Sequence, residues 1–370
     1  MGGIELNNRF YSYKDIQDGI DPDSMPEFAC SAFQFCKEWL IGKKNFILRT
    51  SGSTGQPKVL EISRAQMEFS ALATIEILGL KSGETALLCL PTSYIAGIMM
   101  LVRGMKADLH LILVAPGAHP FVELKEKIEI DFMALVPMQM QHLLSGNNKK
   151  DIEILKKCRN IIIGGAAIRQ ELEDRIRTQC SSSTNSIYVT YGMTETVSHI
   201  ALRKLNTPES SAYYQALPNV QIAVDHRDCL RILSPVTNYE WLQTNDIVEI
   251  IDPNKFIWVG RADDIVNSGG VKIQPEVIEK KIEHFLFQNG MYDFQILPLP
   301  HPLLGEALTL FIEGKENKKI NLPDNIRLLT EKFEMPKAIL YIESFPRTST
   351  GKPDKMNIKN KFQNYYTSLE

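Results

Sequence analysis

The chain of 370 residues is poor in the features that announce metal, membrane or nucleic-acid chemistry. Its six cysteines, Cys30, Cys36, Cys89, Cys158, Cys180 and Cys229, are scattered; none forms a CxxC pair, and no histidine cluster sits nearby at zinc-ligand spacing. That removes the usual signs of a zinc site or a disulfide framework and leaves the expectation of reduced, mostly buried thiols. No long run of one charge sign occurs and the net charge is −3, so neither nucleic acid nor an acidic membrane is an expected partner. Repeats and low-complexity tracts are absent. The opening MGGIELNNRF lacks the apolar core of a signal peptide and has Leu6 where a myristoylation signal wants Ser or Thr. The most apolar stretch, Leu87 to Val102, is short for a membrane span and is broken by Pro91, Thr92, Ser93 and Tyr94. It reads as a buried strand, a turn and the start of a buried helix. The expectation is a cytoplasmic protein with no membrane span.

What is there is ordinary globular composition, 44% hydrophobic and 23% charged, in a chain long enough for two domains. Phe28 to Ile41 has apolar residues at helical spacing. Asn45 to Arg49 reads as a strand, and Ser63 to Leu80 as a helix with Ser63 as its N-cap. Strand and helix then alternate: strands at Leu87–Pro91, Leu109–Val114, Phe132–Val136, Asn160–Ile163 and Ser186–Tyr191; helices at Phe121–Ile130, Met138–Leu144 and Arg169–Gln179. Few charges interrupt these strands, as in a largely parallel sheet covered on both faces. Past residue 215 the pattern changes to short strands with turns (VQIAVD, CLRIL, DIVEI, FIWVG), and the last hundred residues read as a small α+β domain with a helix at Gln274–Phe287.

Four motifs carry chemistry. Thr50-Ser51-Gly52-Ser53-Thr54-Gly55-Gln56-Pro57-Lys58 follows a strand. Its glycines let backbone N–H groups turn toward an anion, its hydroxyls add donors and Lys58 adds charge. On composition alone it would equally serve as a flexible loop, and it is not GxxxxGK[ST], since Pro57 precedes Lys58 and no Ser or Thr follows. Tyr191-Gly192-Met193-Thr194-Glu195-Thr196 follows a predicted strand, where α/β sheets hold ligands. It offers an aromatic face, a hydroxyl and a carboxylate able to hold Mg²⁺ through oxygen; alone, it would read as a turn with an N-cap. The third is Gly260-Arg261-Ala262-Asp263-Asp264 followed by Asn267 to Ile273; the fourth is Pro346 to Lys352.

In this order, and with Gly164-Gly165-Ala166-Ala167 as a fifth, the motifs resemble the superfamily of acyl-CoA synthetases, peptide-synthetase adenylation domains and luciferases, over Phe46 to Lys355. The resemblance implies a large α/β N-terminal domain of layered, helix-flanked sheets with a small β-rich subdomain, residues 1–260. It implies a mobile α+β C-terminal domain, 264–370, and a hinge at 261–264. It implies ATP, Mg²⁺ and coenzyme A as co-substrates and cofactor, and a carboxylic acid that is first adenylated and then passed to CoA. Roles follow by matching residues. Thr50, Ser51, Gly52, Ser53, Thr54, Gly55 and Lys58 would hold the β- and γ-phosphates. Gly164, Gly165 and Ala166 would line the adenine pocket, with Tyr191 and Gly192 against the base. Thr194 would contact the α-phosphate and Glu195 would hold Mg²⁺. Asp246 would bind the ribose, with Asn245 where the family has Gly, and Arg261 ribose or phosphate. Asp263 matches the hinge position, Gly269 and Gly270 the loop lining the pantetheine tunnel, and Lys352 the lysine that orients the reacting carboxylate.

Leu90 to Gly97 with Arg103, Tyr191 to His199, and Ser268-Gly269-Gly270 resemble most the o-succinylbenzoate–CoA ligases of menaquinone biosynthesis, in a compact version with a reduced N-terminal subdomain. Tyr94 stands where that group has His. Such a substrate has a second carboxylate that must be held without reacting; Tyr94 lies in the motif, and Arg103, Ser198 and His199 are the candidates to hold it. Another acid–CoA ligase, a stand-alone enzyme loading a carrier protein, or a non-catalytic nucleotide-binding module remain the alternatives, and a homo-oligomer is left open.

Overall fold

The computed structural model describes residues 2–20, 25–49, 59–125, 128–146, 148–182, 184–206, 212–316, 320–347 and 353–368. The chain divides into two units: Met1–Ala223 with Arg231–Leu242 and Ile250–Ile257, and Val224–Leu230 with Gln243–Glu249 and Trp258–Glu370.

The first unit runs β1 (Gly3–Leu6), β2 (Arg9–Ser12), α1 (Tyr13–Asp18), α2 (Glu27–Leu40), β3 (Asn45–Arg49), β4 (Val59–Ser63), α3 (Arg64–Leu78), β5 (Thr85–Leu88), α4 (Ile95–Ala107), β6 (His110–Leu113), β7 (Phe132–Leu135), α5 (Pro137–Ser145), α6 (Lys149–Lys157), β8 (Asn160–Ile163), α7 (Gln170–Gln179), β9 (Ser186–Gly192), β10 (His199–Lys204) and β11 (Tyr214–Ala216). Strands β12 (Gln221–Val224), β13 (Cys229–Leu233), β14 (Leu242–Asp252) and β15 (Lys255–Arg261) have residues in both units.

Six strands are parallel, in the order β9-β8-β7-β5-β6-β1. Beyond β9, β10, β11 and β15 continue the sheet antiparallel, and β2 closes the other edge. Strands β7 (FMAL) and β8 (NIII) are buried at every position, the pattern of strands covered on both faces. Their Met133, Leu135, Ile161 and Ile163 pack with Leu143 of α5, Leu155 of α6 and Ile176 of α7. Each such fully buried aliphatic side chain contributes about 1.5–3 kcal/mol. Helix α3 starts in a capping box, with Ser63 Oγ accepting from the Gln66 N–H and Gln66 Oε1 from the Ser63 N–H. Helix α4 is buried from Gly97 through Gly104, which explains why strand and helix fuse into one apolar run in the sequence.

Two sequence expectations change. Phe121 to Ile130 is not helical among its described residues: 121–124 form turns. Its buried residues, Phe121, Leu124 and Ile130, complete one helical spacing and no second, so they anchor a crossover. The phosphate-loop segment leads into β4 before helix α3, not directly into the helix.

In the second unit, β16 (Val266–Ser268), β17 (Val271–Ile273), α8 (Pro275–Gln288), β18 (Phe294–His301), β19 (Gly305–Glu313), α9 (Leu322–Leu329), β20 (Ala338–Ile342) and α10 (Lys355–Phe362) follow in order. The sheet order is β17-β16-β19-β18, with β20 parallel to β19. Alternation along β19 sorts its two faces. Leu308, Leu310 and Ile312 pack with Ile278, Ile282 and Leu286 of α8, whereas Ala307 and Phe311 pack with Ile358 of α10 and with Tyr366. Among the described residues no helix is long and apolar enough to cross a membrane.

Candidate active site

The first group of expected site residues collects at the carboxyl ends of two neighbouring parallel strands, where an α/β sheet leaves a crevice for ligands. Strands β8 and β9 pair in the register Ile163↔Val189, so Gly164 follows on beside Thr190. A Cβ on Gly164 would sit 2.2 Å from Thr190 Oγ1, and Gly165 has φ +83°. Only glycine at 164 lets the two strand ends run this close, with Gly164 and Ala166 half-buried and Gly165 exposed. Tyr191, half-buried, lies edge-on to Phe256 at 5.2 Å and tilted to Tyr214 at 5.7 Å, which fixes one side of its ring.

After Gly192 the chain forms a short 3₁₀ turn, Thr194–Thr196. Thr196 holds it: its Oγ1 accepts from the Met193 N–H at 2.9 Å and donates back to carbonyl oxygens of Met193 and Ser198. Thr194 is half-buried and Glu195 exposed, with no hydrogen bond or ion pair to either side chain among the described residues. Val197 follows at φ +63°, ψ −51°, with the Ser198 N–H bonded to Thr196 O at 2.7 Å. This is the rare γ-turn of positive φ, strained for any residue and more so for a β-branched one.

That turn aims Ser198 and His199 into the interior. Ser198 Oγ accepts from Arg103 Nη2 at 2.6 Å and lies 3.3 Å from His199 Nδ1; His199 Nε2 lies 3.2 Å from Thr74 Oγ1, which donates to Ser70 O at 3.1 Å. Arg103 is 2% exposed, has no carboxylate partner among the described residues, and its Nε is buried without a hydrogen bond. Burial pulls the guanidinium down to about 9. Burial, then the neighbouring Arg103 charge, push His199 well below the ordinary histidine range, so it stays neutral at pH 7. Tyr94 is the exposed N-cap residue of α4, nine residues before Arg103, roughly 13 Å along a helix axis, and no hydrogen bond joins it to Arg103, Ser198 or His199 among the described residues.

The second group lies within the second unit. Asp246, 7% exposed, accepts from Trp258 Nε1 and from Arg261 Nη1, each at 3.3 Å. Arg261 also pairs with Asp263 at 2.8 Å, and Asn245 Nδ2 donates to both Asp263 oxygens, at 3.0 and 3.2 Å. Three residues expected at the ribose and hinge thus share one network. Trp258 and Asn245, its neutral members, carried no sequence signal for this role. Gly269 (φ +59°) and Gly270 (φ +84°) form the two-residue turn of the β16–β17 hairpin, whose closing pair is Ser268↔Val271. Positive φ at both central residues is the geometry that favours Gly-Gly there. Asp264 pairs with Lys355 at 2.7 Å and shares a hydrogen bond with Glu276; Gln274 Nε2 donates to Glu276 Oε2 at 2.5 Å. Thr50, Ser51, Gly52, Ser53, Thr54, Gly55, Lys58 and Lys352 lie outside the described residues.

Comparison with known proteins extends the likeness beyond motifs. The AMP-binding enzyme family matches residues 45–233, a stretch that includes α3, α4 and the β8 and β9 strand ends. A 2-succinylbenzoate–CoA ligase of Listeria monocytogenes serotype 4b is 24% identical over 375 residues, which span 94% of this chain and 76% of that one. The solved structure of an acyl-CoA synthetase (AMP-forming)/AMP-acid ligase II-like protein from Dyadobacter fermentans has a TM-score of 0.63 at 38% identity, covering 95% of this chain and 98% of that one. An o-succinylbenzoate coenzyme A synthetase from Bacillus subtilis, in complex with ATP and magnesium ion, shares the fold with a TM-score of 0.71 at 18% identity, covering 85% and 69%.

Proposed function

Since the chain belongs to the AMP-binding enzyme family and has the adenylate-forming enzyme fold, we propose that it is an ATP-dependent acid–CoA ligase whose acid is o-succinylbenzoate. A carboxylate is a poor electrophile. In the first half-reaction its oxygen attacks the α-phosphorus of ATP and pyrophosphate leaves; in the second the CoA sulfur attacks the acyl carbon and AMP leaves.

The donor set suits these steps. The exposed carboxylate of Glu195, without a side-chain partner among the described residues, is a hard oxygen ligand of the kind that holds Mg²⁺ together with substrate phosphates. When bound, Mg²⁺ supplies charge neutralisation on the triphosphate. Thr194 would donate to the α-phosphate as charge builds there, and Lys352 would bring the reacting carboxylate against it. The loop Thr50 to Lys58 would cradle the leaving pyrophosphate. Gly164 to Ala166 and the ring of Tyr191 would bound the adenine, and Asp246 with Arg261 the ribose. Asp263 would be the hinge that exchanges Lys352 for the Gly269–Gly270 turn before thioester formation.

One observation supports the choice of acid: Arg103 is buried without a counter-charge among the described residues. An isolated buried cation is costly, and a ligand carboxylate is the partner that relieves the cost. The ring carboxylate of o-succinylbenzoate supplies it while the succinyl carboxylate reacts. The test is CoA-thioester formation with o-succinylbenzoate against a panel of aryl and fatty acids, ATP and CoA saturating. o-Succinylbenzoate should lead the panel by at least about tenfold in kcat/KM; turnover of other acids with none of o-succinylbenzoate would sink this substrate and leave the family.

A further inference from the structure

The hydrogen-bond chain that reaches Arg103 has a direction. Its far end, the carbonyl of Ser70, only accepts, and Thr74 Oγ–H is committed to it at 3.1 Å. Thr74 therefore has a lone pair to offer His199 Nε2, 3.2 Å away, which makes that nitrogen the protonated one. His199 Nδ1 is then the acceptor for the Ser198 hydroxyl hydrogen, at 3.3 Å. Ser198 is left with lone pairs, and one takes the 2.6 Å hydrogen bond from Arg103 Nη2, a group that only donates. The proton order Arg103 to Ser198 to His199 to Thr74 to Ser70 O satisfies Ser198, His199 and Thr74. Reversing it would strand the Ser198 hydroxyl hydrogen, for which the described residues offer no other acceptor.

The order has a consequence for the acid pocket. Both His199 nitrogens and the Ser198 hydrogen are spent inside the chain. Of the polar groups in this hydrogen-bond chain, the Arg103 guanidinium has a donor left over, its Nε being buried without a partner. We propose that Thr74 is a positioning residue for substrate selection: through His199 and Ser198 it sets the plane in which Arg103 meets the second carboxylate of the acid. Thr74 sits on α3, a helix with no other expected site residue, and it touches neither phosphate nor reacting carboxylate in this scheme. Its effect falls on recognition of the non-reacting charge, not on acyl transfer. This inference rests on the reading of Arg103 as the carboxylate-binding group.

The experiment pairs two acids with three variants of the full chain. o-Succinylbenzoate has the ring carboxylate; 4-oxo-4-phenylbutanoate lacks it and is otherwise the same skeleton. Thr74→Val keeps size and burial but removes the hydroxyl; Thr74→Ser restores it. Thr74→Val should raise the KM, or the Kd by equilibrium binding, for o-succinylbenzoate about tenfold, leave kcat within about threefold, and leave the monocarboxylate unchanged. Thr74→Ser should recover most of the loss. The ¹⁵N spectrum of labelled histidine, which needs no turnover, should show a neutral Nε2–H tautomer for His199 that is lost in Thr74→Val. Equal losses for both acids, no rescue by Ser, or an Nδ1–H tautomer in the unaltered protein would overturn the role of Thr74. Arg103→Met separates the two ideas. If it leaves the ratio between the acids untouched, the carboxylate reading of Arg103 fails. If it abolishes the ratio while Thr74→Val does nothing, the Thr74 proposal fails alone.

Discussion

In the role proposed for Arg103, a cost in stability is tied to the choice of substrate. A guanidinium buried at 2% exposure, with no carboxylate partner among the described residues, is desolvated at a cost in the ligand-free protein. Arg103→Met, similar in length and apolar, should therefore raise the unfolding temperature of the ligand-free chain, by about 1–4 kcal/mol in stability, and abolish the stabilisation given by o-succinylbenzoate. Thermal unfolding with and without the acid measures both; a lower Tm without ligand would contradict the account. The sign of the pH dependence is set by the same burial. With a value near 9, Arg103 is charged below that pH and loses its charge as pH rises through it. kcat/KM for o-succinylbenzoate should fall above about pH 9 more steeply than for the monocarboxylate. In the role proposed for Lys352, Lys352→Ala should stop pyrophosphate exchange, a loss of at least about 10²-fold, with an unchanged unfolding curve.

At the level of elements, the site is a matter of two strand ends held side by side. The Gly164 turn and the Thr190–Tyr191 end of β9 approach so closely that one methyl group has no room. Gly164→Ala should cost about 1–3 kcal/mol and reduce nucleotide affinity, because either the strand end or Thr190 must shift. The double variant with Thr190→Ala should recover part of both, a coupling that a double-mutant cycle reads directly. Failure of that rescue would mean that Gly164 acts through its backbone conformation alone. The γ-turn at Val197 belongs to this scale too. Two residues separate Glu195 from Ser198, and the strained turn between them sends the former to the surface and the latter inward. The motif was legible in the sequence. Its inward half was legible only as residue types, because Ser198 and His199 gain their meaning from Arg103 and Thr74, 95 and 125 residues away in the chain.

For the molecule as a whole, the second unit holds a titrating cluster. Burial, then the hydrogen bond to Asp264, raise Glu276 well above the ordinary carboxylate range, to about 7. Lys355 lies 2.7 Å from Asp264 on the other side. A carboxyl raised on folding favours the folded state below its unfolded value and loses that contribution as pH rises through the folded one. Stability of the full chain relative to Glu276→Gln should thus decline between about pH 5 and pH 8; parallel profiles would refute the shared proton. The alternation of apolar strands and amphipathic helices determined the α/β and α+β character, since burial on both faces leaves an unbroken apolar run and a solvated helix leaves a 3.6-residue period. Ordered motifs determined the family for the same local reason: the chemistry of each is written in consecutive residues. The tertiary structure alone decided that β4 intervenes before α3, that Phe121 to Leu124 is not helical, that Asn245 ties to Asp263, and that Thr74 bonds to His199. Those facts depend on which distant side chains share a buried volume, and neither periodicity nor a motif records a contact made across the fold.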